Sequence, residues 1–176
     1  VQASQGGDHE AYARLVRRHQ QTIASYMWRF TRQRLTWEEL VHDVFVEAYV
    51  GLRSYQGRAP FLHWLRRIAT RVGYRYWKRR RRQQGRESPL DDAVADAAVA
   101  RDDGAEASRQ AAEVVHDLLA RLAPRDRLVM TLMYLEHCKV AEIAQRTGWS
   151  ETLVKVQAHR ARRRLRRICE QRDEFP

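Results

Sequence analysis

The segment Ser150–Arg167, SETLVKVQAHRARRRLRR, restricts what this chain can fold into more than any other part of it. Val154, Ala158, Ala161, Leu165 and Ile168 recur at helical spacing and form one apolar stripe. Thr152, Lys155, His159, Arg160, Arg163 and Arg167 fall on the other side. Immediately upstream, KVAEIAQRTGWS supplies a short helix with Val140, Ile143 and Ala144 on its apolar face, Gly148 as a left-handed turn residue and Ser150 as an N-cap. A short helix, a tight glycine turn and a second helix with basic, reachable side chains predict a helix-turn-helix directed at DNA. A helix built for solubility alone mixes charge signs, whereas seven of the thirteen residues from Lys155 to Arg167 are Lys or Arg and none is acidic.

Charge is segregated along the rest of the chain. Residues 1–82 carry 17 Lys or Arg against 6 Asp or Glu, residues 83–112 carry 3 against 7, and residues 113–176 carry 13 against 9, within a total of +11. Two basic blocks flank an acidic one, and basic blocks attract phosphate backbones or anionic surfaces. No apolar run approaches a membrane span, and Val1–Gly7 does not read as a signal peptide. Cys138 and Cys169 stand singly, without zinc-ligand spacing to the histidines, and read as reduced thiols of a cytoplasmic protein.

Helical periodicity predicts a helix over 8–32 capped by Asp8, and a second opened by a capping box at Thr36–Glu39 and running to about Leu52, with Leu40, Val41, Val44, Phe45, Ala48 and Leu52 inward. A third, after Pro60, buries Phe61, Trp64, Leu65, Ile68, Val72 and Tyr76 and ends in the cations Lys78–Arg82. The Gly, Ser, Pro, Ala and Asp of 83–112 predict a flexible linker. Helices return at about Glu113, with a break at Ala123-Pro124. The expected architecture is all-α: a helical domain over 1–82, the acidic linker over 83–112, and a helix-turn-helix domain over 113–176.

No catalytic or cofactor motif is legible: there is no phosphate loop, nucleophile elbow, HExxH or plausible Cys–His pair, so the reading is a non-enzymatic protein without metal or cofactor. Glu39, Asp43 and Glu47 lie at i, i+4 and i+8; spacing alone leaves them between a solvated stripe and a docking face. Arg67, Arg71, Tyr74, Arg75, Tyr76, Trp77 and Lys78 interleave cations with aromatic rings, a combination that suits single-stranded nucleic acid.

The blocks WEELVHDVFVEAY, SYQGRAPFLHWLRRIATRVGYRYWKRRRR and LLARLAPRDRLVMTLMYLEHCKVAEIAQRTGWSETLVKVQAHRARRRLRR, in this order, resemble the extracytoplasmic-function group of bacterial sigma factors. The resemblance implies that the first domain reads the promoter minus-ten element and anchors RNA polymerase, and that the second reads the minus-thirty-five element. It implies a polymerase-docking face at Glu39, Leu40, Val41, His42 and Asp43, and minus-ten contacts from Tyr55, Arg67, Arg71, Tyr74, Arg75 and Lys78. Minus-thirty-five contacts fall to Thr152, Lys155, Val156, His159, Arg160 and Arg163. Arg71 stands where many members carry Asn, and Val156 offers only apolar contact. The implied partners are core RNA polymerase, promoter DNA and an anti-sigma factor, with no membrane insertion. The competing readings are an autonomous helix-turn-helix regulator, which needs a dimer face for a two-fold operator, and a basic protein of RNA or membrane surfaces.

Overall fold

A computed structural model describes residues 1–84 and 103–173. Among them lie eight α-helices and no strand, divided between two compact units. The first contains α1 (Gln2–Gln5), α2 (His9–Met27), α3 (Arg34–Gly51) and α4 (Phe61–Gln84), with a 3₁₀ turn at Leu52–Ser54. The second contains α5 (Asp103–Ala120), α6 (Pro124–Met130), a π-helical turn at Thr131–Leu135, α7 (Val140–Thr147) and α8 (Glu151–Asp173).

In the first unit α2, α3 and α4 pack on one another around Ile23, Met27, Phe30, Val44, Leu65 and Ile68, all almost wholly buried. Asp8 caps α2 by accepting from the Ala11 N–H at 2.8 Å. The helix ends five residues short of the periodic pattern. The chain turns at Met27–Phe30, and that turn drops the Phe30 ring against Trp77, with centroids 4.7 Å apart. The Trp77 Nε1–H donates to the Phe30 carbonyl at 2.7 Å, closing a buried backbone acceptor at the helix end. Gly73 faces this ring, and a Cβ there would overlap Phe30. Tyr26 donates to Thr70 Oγ1 at 2.6 Å, because the Thr70 proton is committed to the Arg66 carbonyl at 2.8 Å.

Helix α3 starts two residues before the expected capping box. Gln33 caps it through its backbone alone, Thr36 lies inside the first turn donating to Gln33 Oε1, and Trp37 reaches back to the Ala24 carbonyl at 2.8 Å. Of the expected inward residues, Leu40, Val44, Ala48 and Leu52 are buried, while Val41 and Phe45 are half-buried.

In the second unit the core brings Leu119, Leu122, Met130 and Ala161 together, flanked by Leu135, Leu165 and Ile168. Pro124 is at the start of α6, where its missing N–H costs nothing. Gly148 has φ +76°, and its N–H closes on the Ala144 carbonyl at 2.8 Å. Ser150 Oγ accepts from the Leu153 N–H at 3.2 Å. The Glu142 carboxylate accepts from the Lys139 N–H at 2.7 Å; the Lys139 ammonium has no lone pair to reciprocate, so only half of a capping box forms. Helix α5 begins at Asp103, within the segment whose composition predicts a linker; the Ala-rich run after Gly104 has high intrinsic helix propensity without an apolar period. Residues 85–102 of that segment lie outside the described residues.

Candidate nucleic-acid and protein interfaces

Helix α8 separates its faces completely. Val154, Ala158 and Ala161 are at most 2% exposed, while Thr152, Lys155, Val156, His159, Arg160 and Arg163 are all exposed, Val156 at 47%. The six expected groove-facing residues therefore share one accessible surface. Its basic residues are not equivalent. Arg162 donates to Tyr134 Oη at 2.8 Å and to Met133 Sδ at 3.2 Å and lies over the Tyr134 ring, so it braces the π-helical turn. Arg160 and Arg164, one turn apart, act on Asp126 of α6. Burial raises the Asp126 carboxyl above its ordinary range, and the two guanidiniums pull it back down. Asp126 is 8% exposed.

Helix α3 presents Glu39, His42 and Asp43 to solvent, with Val41 half-exposed. Leu40 is 2% exposed. This corrects its assignment to the docking face: it sits in the core and supports that face from beneath. Glu47 also leaves the acidic stripe, because its carboxylate takes both terminal nitrogens of Arg75 on α4. Three exposed apolar residues complete the surface: Leu35 and Val50, each 76% exposed, and Val46 at 45%. Sequence reasoning passed over them, although Val46 and Val50 lie outside the inward-facing set and share one face with Glu39 and His42.

On α4, Arg67, Arg71, Tyr74 and Lys78 recur at i, i+4, i+7 and i+11 and form one strip. The three cations are exposed and Tyr74 is half-buried, with the Lys78 ammonium 5.7 Å from the Tyr74 ring centroid. Arg75 lies beside the strip, paired with Glu47. Trp77, 3% exposed, and Tyr76, 9% exposed, are core residues, so Trp77 drops out of the interleaved set. Tyr55 is half-buried, donates its hydroxyl to the Ala59 carbonyl at 2.5 Å, and packs against Phe61 and Trp64 with centroids 5.7 and 5.3 Å away. His19 touches Phe61, and burial, with Arg18 nearby, lowers its imidazole below the ordinary range. Tyr12 donates to the Phe45 carbonyl at 2.5 Å, and burial with Tyr49 beside it pushes its hydroxyl up to about 12.

Among the described residues no group of His, Cys, Asp and Glu could hold a metal ion, and no helix is long and apolar enough to cross a membrane. Cys138 is buried, Cys169 is exposed, and both are free.

Two family models match the chain: sigma-70 region 2 over residues 15–83 and sigma-70 region 4 over residues 112–165. The chain is 27% identical to the RNA polymerase sigma factor YlaC of Bacillus subtilis, over 87% of this chain and 88% of that protein. It is 30% identical to the ECF RNA polymerase sigma factor BldN of Streptomyces coelicolor, over 96% of this chain and 64% of that protein. Its fold is similar to that of CnrH in a complex with the cytosolic domain of CnrY, with a TM-score of 0.62 at 23% identity over 96% of this chain and 94% of that one.

Proposed function

The chain belongs to the extracytoplasmic-function group of bacterial sigma-70 factors, and from that membership we propose how its two units divide the work of promoter-specific transcription initiation. The second unit places α8 in the major groove of the minus-thirty-five element. There Thr152, Lys155, Val156 and His159 meet base edges, while Arg160 and Arg163 reach the backbone. The first unit docks on core RNA polymerase through Glu39, Val41, His42 and Asp43, ringed by Leu35, Val46 and Val50. It meets the minus-ten element with Tyr55, Arg67, Arg71, Tyr74 and Lys78, Arg75 being shared with Glu47.

The observation that carries this reading is the division of α8: a buried aliphatic stripe welds the helix to its unit, and every polar residue assigned to DNA lies on the exposed side. The protein performs no chemistry of its own in this reading, and it works in the cytoplasm, where the polymerase is. Solved structures of similar fold hold their chain with a second protein: CnrH with the cytosolic domain of CnrY, and the sigma factor RpoE with the anti-sigma factor NepR from Bartonella quintana. An anti-sigma factor that covers these same surfaces is the regulator proposed for this chain.

The test is reconstitution. Core polymerase incubated with the full chain is challenged with a randomised promoter library, and the recovered sequences are assayed by run-off transcription. Specific initiation that requires both proteins is expected. Tight, sequence-specific DNA binding by the chain alone, without core polymerase, would replace this reading with that of an autonomous regulator.

A further inference from the structure

The connection between α3 and α4 is held from outside itself. Its inner bonds are local: Tyr55 N–H closes on the Leu52 carbonyl at 3.1 Å, Ser54 Oγ donates to the Gly51 carbonyl at 2.7 Å, and Tyr55 Oη reaches Ala59. These leave carbonyl lone pairs at the end of α3 unmatched, the usual condition of a helix C-terminus. Gln5, at the last position of α1, answers them. Its half-buried side-chain amide donates through Nε2 to the Leu52 carbonyl at 3.0 Å and to the Tyr55 carbonyl at 2.7 Å. A primary amide carries two N–H donors on that nitrogen, so one proton serves each carbonyl. The contact spans about fifty residues of sequence and joins Gln5, upstream of the segment 15–83 that matches sigma-70 region 2, to two residues within it.

What Gln5 fixes is the turn that carries Tyr55 and leaves Arg53 and Arg58 exposed. Gly57, at φ +70°, then reverses the chain toward α4. The Tyr55 ring is set sideways by Phe61 and Trp64, but its backbone is set by Gln5. We infer that Gln5 is a positioning residue for DNA opening: by clamping the Leu52 and Tyr55 carbonyls it presents the Tyr55 turn in the geometry that meets an unpaired base of the minus-ten element. The inference rests on the assignment of Tyr55 and the α4 strip to that element.

The test uses reconstituted holoenzyme, the full chain and a promoter selected by the wild-type holoenzyme. The promoter is prepared as a full duplex and with its minus-ten segment held open by a non-complementary strand. Gln5→Leu removes both donors at nearly constant volume. Gln5→Glu keeps the shape and turns an acceptor toward two carbonyl oxygens. The loss of two neutral hydrogen bonds corresponds to open-complex formation about tenfold slower on the duplex, recovering to within about threefold on the pre-opened template. Preference for the non-template base at one opened position should relax, while core affinity stays at the wild-type value and Tm falls only by the few degrees that two hydrogen bonds are worth.

An unchanged duplex rate overturns the inference. So does an equal loss on both templates, or a loss matched by an equal loss of core affinity, either of which marks Gln5 as merely structural. A wild-type chain that initiates on no selected promoter removes the function itself, and this inference with it. A wild-type chain that initiates normally beside indistinguishable Gln5 variants removes the inference alone.

Discussion

Phe30 lies against the α4 backbone at Gly73, and its carbonyl holds the Trp77 indole. Gly73→Ala would force either the ring or the helix to move, and should destabilise the first unit by about 1–3 kcal/mol, the usual cost of overpacking; urea unfolding of the two proteins measures it. On α8, single substitutions distinguish the two kinds of DNA contact proposed above. Lys155→Ala should relax preference at one upstream base and cost about 1–3 kcal/mol on the preferred site, whereas Arg160→Ala should weaken all sequences alike and lower the salt slope by about one. Lys155 lies nearer the N-terminus of α8, the end of a recognition helix that enters the groove, than Arg160 does. Promoters varied one upstream base at a time, at two salt concentrations, distinguish the outcomes, and unchanged base preference in Lys155→Ala would refute its role. At this scale the sequence was legible for residues whose burial follows a period, such as Val154 and Ile143, both fully buried. It misled at Trp77. Trp77 reads as exposed because cations flank it, and its burial is decided by a glycine and a ring distant in sequence. Leu40 was legible as an inward residue from its period, and only the resemblance placed it on the docking face.

Helix α3 gives one side to the core, and its other side is the one proposed for docking. Glu39→Lys combined with Asp43→Lys should abolish binding to core polymerase while leaving Tm nearly unchanged, because both carboxylates are exposed and exposed charges contribute little to folding. Leu40→Ala should do the reverse in kind: it should cost about 2–5 kcal/mol of stability through the cavity it leaves. Affinity capture of core polymerase alongside thermal melting separates the two, and wild-type affinity in a well-folded double mutant would rule the interface out. Apolar residues lie all round α3, and for that reason period alone could not divide its core from its docking face. The missed element boundaries have local causes. Thr36 has the residue pattern of a cap but lies inside a helix already begun at Arg34, and α5 reaches back to Asp103 on propensity alone.

Each unit closes its own core, and the surfaces proposed to read the two promoter elements lie on different units. The free chain should therefore bind promoter duplex weakly and with little sequence preference, since tethered readers gain from one another only when something holds them at the right span. Titration of the free chain and of the holoenzyme against one labelled promoter at physiological salt checks this; nanomolar specific binding by the free chain would contradict it. Fold class and the order of the two units were legible because helical period and charge segregation are one-dimensional signals. The Glu47–Arg75 pair and the Arg162–Tyr134 contact were not, because each joins residues 28 apart in sequence that no period relates.

Val156 is the one aliphatic side chain on the exposed face of α8 among those assigned to DNA, 47% exposed between cations. In the major groove an aliphatic side chain can recognise only another apolar group, and the base that offers one there is thymine, through its C5 methyl. The chain would then respond to the chemical marking of the chromosome as well as to its sequence. Replacing the matching thymine by uracil should weaken the promoter about as much as Val156→Ala does, and 5-methylcytosine should restore the contact that cytosine lacks. Promoter strength would follow DNA methylation at that single step.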